Sequence, residues 1–445
     1  MDILIIGFAL FAMFFGAGNL IFPATLGRLY ASSWQIAGLG FSITGVGLTL
    51  LAVLSMAKKR GDIFTFTKIS GEKFSKVITF LIILCIGPAF ALPRTAATSM
   101  EIFDAVGFSI NHLLFALVFF GLTLFLAIRP NNVIDAIGKY LTPLLLITLL
   151  ILIIRGIASP IGDIKVVKEA NVFSNSLLEG YNTMDAIAAI VFTPIIVKAV
   201  MDKGYEHKYM KMMSFAGIIA IVGLGFVYIS LTYLGASTSS VLEGEKSRVD
   251  LLIYIATELL HGLGKYVLSI AMVLACLTTS VGLTSSLSEI FNRFFGNKLG
   301  YDKFVIILVL VSAIISVGGV GTIVELAVPI LSFIYPIAVL LIGFNFIDEK
   351  IKHKKIMTNT FFVVGVISFI QASRDMINTI ERLFGLSNSL TNAIASVFDK
   401  IIKALPLNDL GFPWIVPFLI VLIASIIFYN IIAREKDVTV QTEIN

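Results

Sequence analysis

Long apolar runs dominate the chain, and short polar stretches separate them. A membrane-spanning helix needs about 20 apolar residues, whereas barrel strands alternate in polarity over about ten. Helices also satisfy every backbone polar group internally, as lipid requires. The pattern therefore predicts an all-α polytopic membrane protein with about twelve transmembrane helices. The predicted spans cover 3–27, 33–56, 77–100, 112–128, 135–155, 167–201, 210–235, 264–290, 303–320, 323–346, 356–373 and 413–433.

Composition supports a bilayer environment and excludes several soluble classes. The 445 residues are 58% hydrophobic and 14% charged, whereas soluble domains are about 25% charged. The two cysteines lie in apolar runs, which argues against a disulfide scaffold or a structural zinc site. The net charge of +5 comes from lysines and arginines in short loops, which is typical of membrane topology. We expect no nucleic-acid partner and no cofactor.

The distribution of positive charge predicts the orientation of the chain. With the amino terminus inside, 21 of the 33 lysines and arginines fall in cytoplasmic loops and the tail, and 11 fall in external loops. Cytoplasmic loops carry an excess of these residues, so both termini are expected to be cytoplasmic. The amino-terminal run starts with Asp2 and lacks a basic segment, so we interpret it as a retained helix instead of a signal peptide.

Two longer loops, Ala236–Lys265 and Arg374–Phe412, fall outside in this arrangement. Each contains amphipathic stretches, such as Met376–Phe384 and Ala393–Leu405. These stretches form either short helices on the external face or solvated loops.

The first span is interrupted near its middle. Gly16, Gly18, Asn19 and Pro23 lie within an otherwise apolar run, where glycine costs about 1 kcal/mol and proline about 3 kcal/mol. Small residues allow close helix packing, but a polar asparagine at membrane depth requires partners. We predict an unwound stretch over 16–19. The half-helix that restarts there presents amides to a substrate carboxylate, and the freed carbonyls hold a cation or an ammonium group.

The sixth span contains a second interruption. Residues 167–201 exceed one simple crossing, and the run Gly-Tyr-Asn-Thr-Met-Asp at 180–185 divides them. Either this run unwinds within the membrane, or the true span is 186–201 and Tyr181–Asp185 is an external loop. Breaks at corresponding places in two halves indicate a transporter site. The first alternative predicts an inverted 5 + 5 repeat, with domains 1–155 and 156–346, followed by 347–445 with two additional helices.

Further polar groups lie within the spans. Thr278 and Thr279 follow Ala275 in the eighth span. Such hydroxyls usually bond to backbone, but one carbonyl with two hydroxyls also forms a half-site for a hard cation. Intramembrane charges are costly and indicate function; they are Arg94, Glu101, Asp185 and Glu325. The arginine either pairs with one of the acids or acts in gating or in contact with a substrate carboxylate, and the three acids are candidate proton carriers.

Three runs resemble the branched-chain amino acid:cation symporter family of bacteria, the BrnQ carriers of the amino acid–polyamine–organocation superfamily. They are Phe14–Pro23, Gly87–Ala96 and Gly180–Ala186. The resemblance extends over essentially the whole chain and implies a LeuT-type fold in which helices 1 and 6 are discontinuous. It also implies import of leucine, isoleucine and valine across the plasma membrane by alternating access, driven by a sodium or proton gradient.

The resemblance implies specific site residues as well. The carboxylate of the substrate would bind the amides of Ala17 and Gly18, and its ammonium would face the sixth-helix break. The implied substrate-binding residues are Phe15, Gly16, Ala17, Gly18, Asn19, Tyr181, Asn182, Thr183 and Met184, and the implied sodium ligands are Ala12, Phe15, Ala275, Thr278 and Thr279.

The sequence contains no HExxH, P-loop or nucleophile-elbow motif, so we expect a transporter and not an enzyme. One alternative is a transporter of the same fold with another substrate, such as a different amino acid or a nucleobase. A channel is a further alternative, but it needs a continuous polar pore, and the polar groups here cluster at the two breaks. The expected partners are the lipid bilayer and a small-molecule amino acid, and the sequence leaves the oligomeric state open.

Overall fold

The computed structural model describes residues 2–108, 110–129, 137–244, 246–351, 353–386 and 388–444, and the side chains of Ala17 and of 430–444 lie outside this description. The regular secondary structure of the described residues is all helical and includes no strand, which confirms the all-α prediction. The α-helices, numbered in chain order, are α1 (Asp2–Phe14), α2 (Ala17–Tyr30), α3 (Trp34–Ser42), α4 (Leu48–Lys58), α5 (Ile63–Lys68), α6 (Glu72–Leu84), α7 (Ala91–Val106), α8 (His112–Ala127), α9 (Thr142–Ala158), α10 (Val172–Asn182), α11 (Asp185–Asp202), α12 (Tyr209–Ala236), α13 (Arg248–Leu260), α14 (Gly264–Phe294), α15 (Tyr301–Ser316), α16 (Val320–Ile347), α17 (Lys354–Phe384), α18 (Ser389–Lys403) and α19 (Ile415–Ile444).

Many of these helices suit a lipid environment. In the described part of the chain, eight continuous helical stretches, several of which join consecutive helices, are long and apolar enough to cross a membrane, and three shorter apolar helices accompany them. Outward-facing side chains are apolar too: Phe125 on α8 is 76% exposed and Ile314 on α15 is 71% exposed. Water disfavours large apolar surfaces of this kind, whereas lipid accommodates them. The chain is therefore a multi-pass membrane protein, and the total of twelve spans stays a prediction.

The described residues form two compact units, and the first comprises Met1–Ile63 and Leu81–Ala327. In its core α1 and α2 pack along α12, α7 packs along α14, and α11 packs along α4. Helices α2 and α12 cross closely, because a Cβ atom at Gly27 or Gly235 would collide with the backbone of the opposite helix. Bare glycine backbone therefore permits this approach.

Two helix interruptions lie within this first unit. Helix α1 ends at Phe14 and α2 begins at Ala17, so the interruption covers Phe15 and Gly16 only. Gly18 and Asn19, which we expected in the unwound stretch, already belong to the first turn of α2. The second interruption separates α10 from α11, and Met184 adopts a left-handed conformation there with φ of 69°. Such a residue commonly terminates a helix.

The predicted span 77–100 is kinked instead of continuous. Helix α6 ends at Leu84, Gly87 has non-helical angles (φ −88°, ψ −127°), and Pro88 follows within a wide helical turn. Proline lacks an amide donor and clashes with the preceding turn. The chain regains regular helix at Ala91, so Arg94 lies in the first turn of α7.

The second unit comprises Phe64–Phe80 and Val328–Asn445. Here α17 continues to Phe384, so the amphipathic stretch Met376–Phe384 forms the last turns of a long helix and is no separate surface helix. Most of the stretch Ala393–Leu405 belongs to α18, as the surface-helix alternative predicts. The Lys403 ammonium lies 2.6 Å from Asp399 and, by this contact, lowers the pKa of that carboxyl below its ordinary value.

Candidate functional site

The first interruption creates a helix amino terminus at the centre of the first unit. Gly16 is extended at the N-cap of α2 (φ −96°, ψ −172°). The Asn19 side-chain oxygen accepts a hydrogen bond from the Gly16 backbone amide at 3.3 Å. The Asn19 backbone amide donates to the Gly16 carbonyl at 3.2 Å. The amides of Ala17 and Gly18 belong to the first turn, where intrahelical acceptors are lacking. They are therefore suited to an anion.

Asn19 also joins the two interruptions. Its side-chain nitrogen donates to Asp185 Oδ2 at 2.5 Å and to the Tyr228 hydroxyl. The Tyr228 hydroxyl in turn donates to Asp185 Oδ2 at 3.3 Å. All three side chains are buried, with exposures of 1%, 4% and 0% for Asn19, Asp185 and Tyr228. The asparagine thus has the partners that its depth requires, and the contact connects the amino-terminal turns of α2 and α11 with α12.

The second interruption is capped by an arginine. The Arg94 guanidinium donates to the carbonyls of Asn182 and Thr183, both at 2.9 Å. These carbonyls lie at the negative end of the α10 dipole, where a cation is favourable. They also belong to the segment that we expected to receive the substrate ammonium. Arg94 therefore makes, in this structure, the contacts predicted for the substrate.

The predicted cation half-site is partly assembled. The Thr278 hydroxyl lies 2.9 Å from the carbonyl oxygens of both Ala12 and Ala275. The Thr279 hydroxyl donates to the carbonyl of Met13 at 3.0 Å, a residue outside the predicted set of sodium ligands. Oxygen ligands of this type suit hard cations. The structure thus brings main-chain carbonyl oxygens and two threonine hydroxyls together at the end of α1.

The Phe15 ring packs in the core of the first unit, whereas the sodium assignment concerns the Phe15 carbonyl and stays a prediction. The ring stacks on Phe11 with centroids 5.4 Å apart and lies 6.3 Å from the Tyr228 ring. The Phe15 side chain is fully buried. This aromatic stack positions the interruption against α12.

Two cavities adjoin the interruptions, and Arg94 lines both. The inner cavity has a volume of about 30 Å³, which is close to the volume of one water molecule. The outer cavity has a volume of about 300 Å³. The inner cavity is lined by Met13, Phe14, Gly16, Asn19, Ala91, Arg94, Thr95, Thr183, Met184, Asp185, Ala188, Phe192, Thr279 and Leu283. The outer cavity is lined by Gly18, Ile21, Phe22, Arg94, Thr98, Glu101, Arg248, Val249, Val320, Gly321, Val324 and Glu325.

The other residues predicted for the site lie at one of the two cavities or in the last turn of α10. Thr183 and Met184 line the inner cavity, and Glu101 and Glu325 line the outer one. The Asn182 side chain points to Glu179, to which it donates at 3.1 Å. Tyr181, in the last turn of α10, is half-buried.

Sequence reasoning missed two residues of this region, Tyr228 and Arg248. A hydroxyl in the middle of the apolar run 210–235 was an available signal, because a buried tyrosine usually finds a partner for its hydroxyl. Arg248 lies in a predicted external loop, where a basic residue is unremarkable. Its guanidinium lies 4.7 Å from the Phe22 ring centre and 3.2 Å from Glu179.

Known proteins resemble this chain over nearly its whole length. Residues 1–432 match the family described as branched-chain amino acid transport protein. The branched-chain amino acid permease BraB of Bacillus subtilis is 38% identical over 430 residues, which cover 94% of this chain and 93% of the permease. A Staphylococcus epidermidis protein named as a branched-chain amino acid carrier is 37% identical over 463 residues, 99% of both chains.

Solved structures resemble the fold at low sequence identity. A mutant of the Eremococcus coleocola manganese transporter aligns with a TM-score of 0.55 and 13% identity, covering 95% of this chain and 93% of the transporter. The nucleobase-cation-symport-1 transporter Mhp1, with bromovinylhydantoin bound, aligns with a TM-score of 0.54 and 17% identity, covering 88% and 96%. These structures indicate a shared transporter fold, and the family match confirms the expectation of a transporter and not an enzyme. The chain belongs to the branched-chain amino acid transport protein family.

Proposed function

We propose that this protein is a secondary active symporter that imports leucine, isoleucine and valine, coupled to a sodium or proton gradient by alternating access. The observation that carries the proposal is the pair of helix interruptions joined by Asn19 and Asp185, whose side chains lie 2.5 Å apart. Interrupted helices that meet at mid-membrane supply backbone groups for both substrate and ion. The relatives' names supply the substrate class.

The proposed architecture is a LeuT-type fold with about twelve transmembrane helices. Helices 1 and 6 are discontinuous, 1–155 and 156–346 form inverted five-helix repeats, and 347–445 adds two helices. The protein resides in the plasma membrane of a bacterium with both termini cytoplasmic. The solved transporters of similar fold support the architecture, and the excess of positive charge in the assigned cytoplasmic loops supports the orientation.

The proposed substrate site uses the backbone at both interruptions. The substrate carboxylate binds the amides of Ala17 and Gly18, and its ammonium binds the carbonyls near 181–184, displacing the Arg94 guanidinium. Phe15, Gly16 and Asn19 shape the first interruption. Tyr181, Asn182, Thr183 and Met184 shape the second.

The aliphatic side chain of the substrate would be held by apolar walls. Phe14, Met184 and Phe192 are buried and line the inner cavity. A dry pocket of this kind separates substrates by only about 1–3 kcal/mol per methylene. Overlapping use of leucine, isoleucine and valine follows, because the three differ little in apolar volume. The inner cavity must widen from its present water-sized volume to admit any of them.

Two coupling routes fit the residues, and no cofactor beyond the coupling ion is required. A sodium ion would use oxygens of Ala12, Phe15, Ala275, Thr278 and Thr279, and the contacts of Thr278 with Ala12 and Ala275 support this route. A proton would use Asp185, Glu101 or Glu325, and the burial of Asp185 beside Asn19 and Tyr228 supports it as the carrier. Arg94 acts in gating, since it lines both cavities.

The test is uptake of labelled leucine into proteoliposomes under separately imposed sodium and proton gradients. Accumulation above equilibrium under one gradient, suppressed by unlabelled isoleucine and valine, is the expected result. Protein-free liposomes and an ionophore that collapses each gradient are the controls. Downhill flux without accumulation would favour a channel. If leucine, isoleucine and valine are not taken up but another amino acid or a nucleobase is, then the proposed substrate is wrong and the second compound is the substrate.

A further inference from the structure

Helix α18 has its own start and end signals. The side-chain oxygen of Asn388 accepts a hydrogen bond from the Thr391 backbone amide at 2.8 Å, and the Thr391 hydroxyl accepts one from the Asn388 backbone amide at 3.0 Å. This reciprocal pair satisfies amides at the amino terminus of the helix. Lys400 and Lys403 lie in the last turn, where the helix dipole favours positive charge. The 15 residues of α18 therefore form a defined helix, which is about 22 Å long.

The side chains of α18 form three stripes along the helix. The inward stripe is partly or fully buried and consists of Thr391, Ala395, Phe398 and Ile402. The apolar stripe is exposed and consists of Leu390, Ile394, Val397 and Ile401. The polar stripe is also exposed and consists of Asn392, Ser396, Lys400 and Lys403.

The angles between the stripes indicate how the helix lies. With 3.6 residues per turn, the apolar stripe is centred about 100° from the inward stripe and about 135° from the polar stripe. One side of α18 therefore packs on the protein, and two nearly opposite sides, one apolar and one polar, face the surroundings. Water on both sides would leave the apolar stripe unfavourably exposed. A helix that lies in the plane of a membrane interface instead turns its apolar side to the acyl chains and its polar side to water.

An ion pair fixes the height of α18 along α17. The Arg374 guanidinium lies 3.5 Å from the carboxylate of Asp399 and 2.7 Å from that of Asp375. Helix α17 begins at Lys354, and about 30 Å of helix separates this residue from Arg374. The hydrocarbon core of a bilayer is also about 30 Å thick. With Lys354 at one membrane surface, Arg374 therefore reaches the other surface and holds α18 at that level.

The chain on both sides of α18 belongs to apolar helices. Phe362 and Phe369 of α17 are 69% and 60% exposed, and they lie in a stretch that is apolar enough to span a membrane. After α18 the chain enters α19 directly behind Trp414, and tryptophan is enriched at membrane interfaces. The connection that contains α18 thus begins and ends at the same interface, and its apolar stripe continues the lipid-facing surface of α17.

We propose that α18 is an interfacial helix, which buries its apolar stripe among the acyl chains of the bilayer and turns its polar stripe to water. The charge distribution assigns this segment to the external side, so the lipid partner is the outer leaflet. This inference concerns the contact with lipid and is independent of the proposed substrate and coupling ion.

The experiment measures the surroundings of a nitroxide label on the full-length protein in vesicles of phosphatidylethanolamine and phosphatidylglycerol. Val397→Cys places the label on the apolar stripe, and Ser396→Cys places it on the polar stripe one residue away. Cys85 and Cys276 are buried, so the label should react with the introduced cysteine. Oxygen concentrates in lipid and a charged nickel chelate stays in water. The label at 397 should therefore collide more with oxygen, and the label at 396 more with nickel.

A charge placed on the apolar stripe provides a second measurement. With the label at Ile401→Cys, Val397→Glu should draw the helix toward water and raise the collision rate with the nickel chelate, because a charged side chain is costly among acyl chains. Ser396→Glu is the matched control. It introduces the same side chain on the polar stripe and should leave that rate unchanged.

Three results would overturn the proposal. Nickel collisions that exceed oxygen collisions at both 396 and 397 would mean that water surrounds α18. Few collisions with either reagent at 397 would mean that protein, such as a second copy of the chain, covers the apolar stripe. Equal nickel rates in the two glutamate variants would mean that the apolar stripe does not hold the helix in lipid. Leucine uptake tests the proposed function separately, and its failure would leave the contact with lipid intact.

Discussion

At the residue scale, one threonine hydroxyl connects α1 to α14. Thr278 Oγ1 lies 2.9 Å from the carbonyl oxygens of Ala12 and Ala275. Thr278→Val removes this oxygen and nearly preserves the side-chain volume. If sodium is bound there, the sodium concentration for half-maximal leucine uptake should rise about tenfold, as expected for one lost ligand of a charged group.

Two further variants separate ion binding from structural damage. Thr278→Ser keeps the hydroxyl and should preserve the sodium dependence. Thr284→Val changes a fully buried threonine on the same helix whose hydroxyl has no hydrogen-bond partner among the described residues, so it should leave the dependence unchanged. An equal rise for the changes at 278 and 284 would contradict the assignment.

Tyr228 is the residue whose loss should most disturb the contact between the interruptions. Its hydroxyl accepts from Asn19 and donates to Asp185 in a fully buried position. Tyr228→Phe leaves both partners with one bond fewer, and an unsatisfied buried group costs about 1–3 kcal/mol. We expect the thermal unfolding midpoint of the purified protein to fall by several degrees and leucine uptake to decrease.

Tyr233→Phe provides the comparison on the same helix. The Tyr233 ring packs against Trp34 with centroids 5.3 Å apart, and phenylalanine retains this ring contact. Its unfolding midpoint should stay close to that of the wild type. A midpoint for Tyr228→Phe that matches this control would mean that the buried hydroxyl network adds little to stability.

The sequence predicts the need for these contacts but not their identities. Asn19 stands out because a polar amide within an apolar run requires partners. Its partners lie 166 and 209 residues away, at Asp185 and Tyr228. Only the packing of α11 and α12 against α2 brings them together. The same limit applies to Arg94, whose charge at membrane depth indicates a role, whereas its acceptors at 182 and 183 depend on the tertiary fold.

At the scale of helices, the crossing of α2 and α12 offers a sharp test of packing. A Cβ atom on Gly235 would collide with the backbone at Ala24, and backbone cannot move aside as a flexible side chain can. Gly235→Ala should therefore separate two helices that adjoin the first interruption. Overpacking typically costs about 1–3 kcal/mol, so we expect a lower unfolding midpoint together with reduced uptake.

Gly225 is the matched control for this change. It lies on the same helix, and a Cβ atom there would have no neighbour within 4 Å. Gly225→Ala should be neutral or slightly stabilising, because alanine is the better helix former. Comparable losses in the two variants would indicate that the crossing tolerates a methyl group.

Interruptions differ in how readily a sequence reveals them. The breaks near Gly16 and Met184 coincide with polar residues in apolar runs, so the residue types mark them. The kink at Gly87 and Pro88 lies in a run whose hydropathy hardly changes, and counting apolar residues treats 77–100 as continuous. Helix α17 likewise extends to Phe384 because amphipathic turns continue a helix as readily as they form a separate one.

At the scale of the whole molecule, packing divides the chain differently from the predicted repeat. The segment Phe64–Phe80 belongs to the unit formed by Val328–Asn445. Within that unit, the Asn345 side chain donates to the carbonyl of Phe66 at 3.0 Å, across 279 residues of sequence. Helix counting cannot foresee such long-range contacts. The repeat boundaries at 155 and 346 concern topology and stay a prediction.

The orientation of the chain can be tested by labelling introduced cysteines, because its two native cysteines are buried. Cys85 and Cys276, the two cysteines, are buried, with exposures of 1% and 0%, so they should react little with a membrane-impermeant maleimide. Single cysteines at exposed Glu206 and Glu243 then report on opposite sides, since the charge distribution places the first inside and the second outside. Intact cells should label Glu243→Cys only, and permeabilised cells should label both. Labelling of Glu206→Cys alone in intact cells would reverse the topology. It would also put the outer cavity on the cytoplasmic side of the membrane.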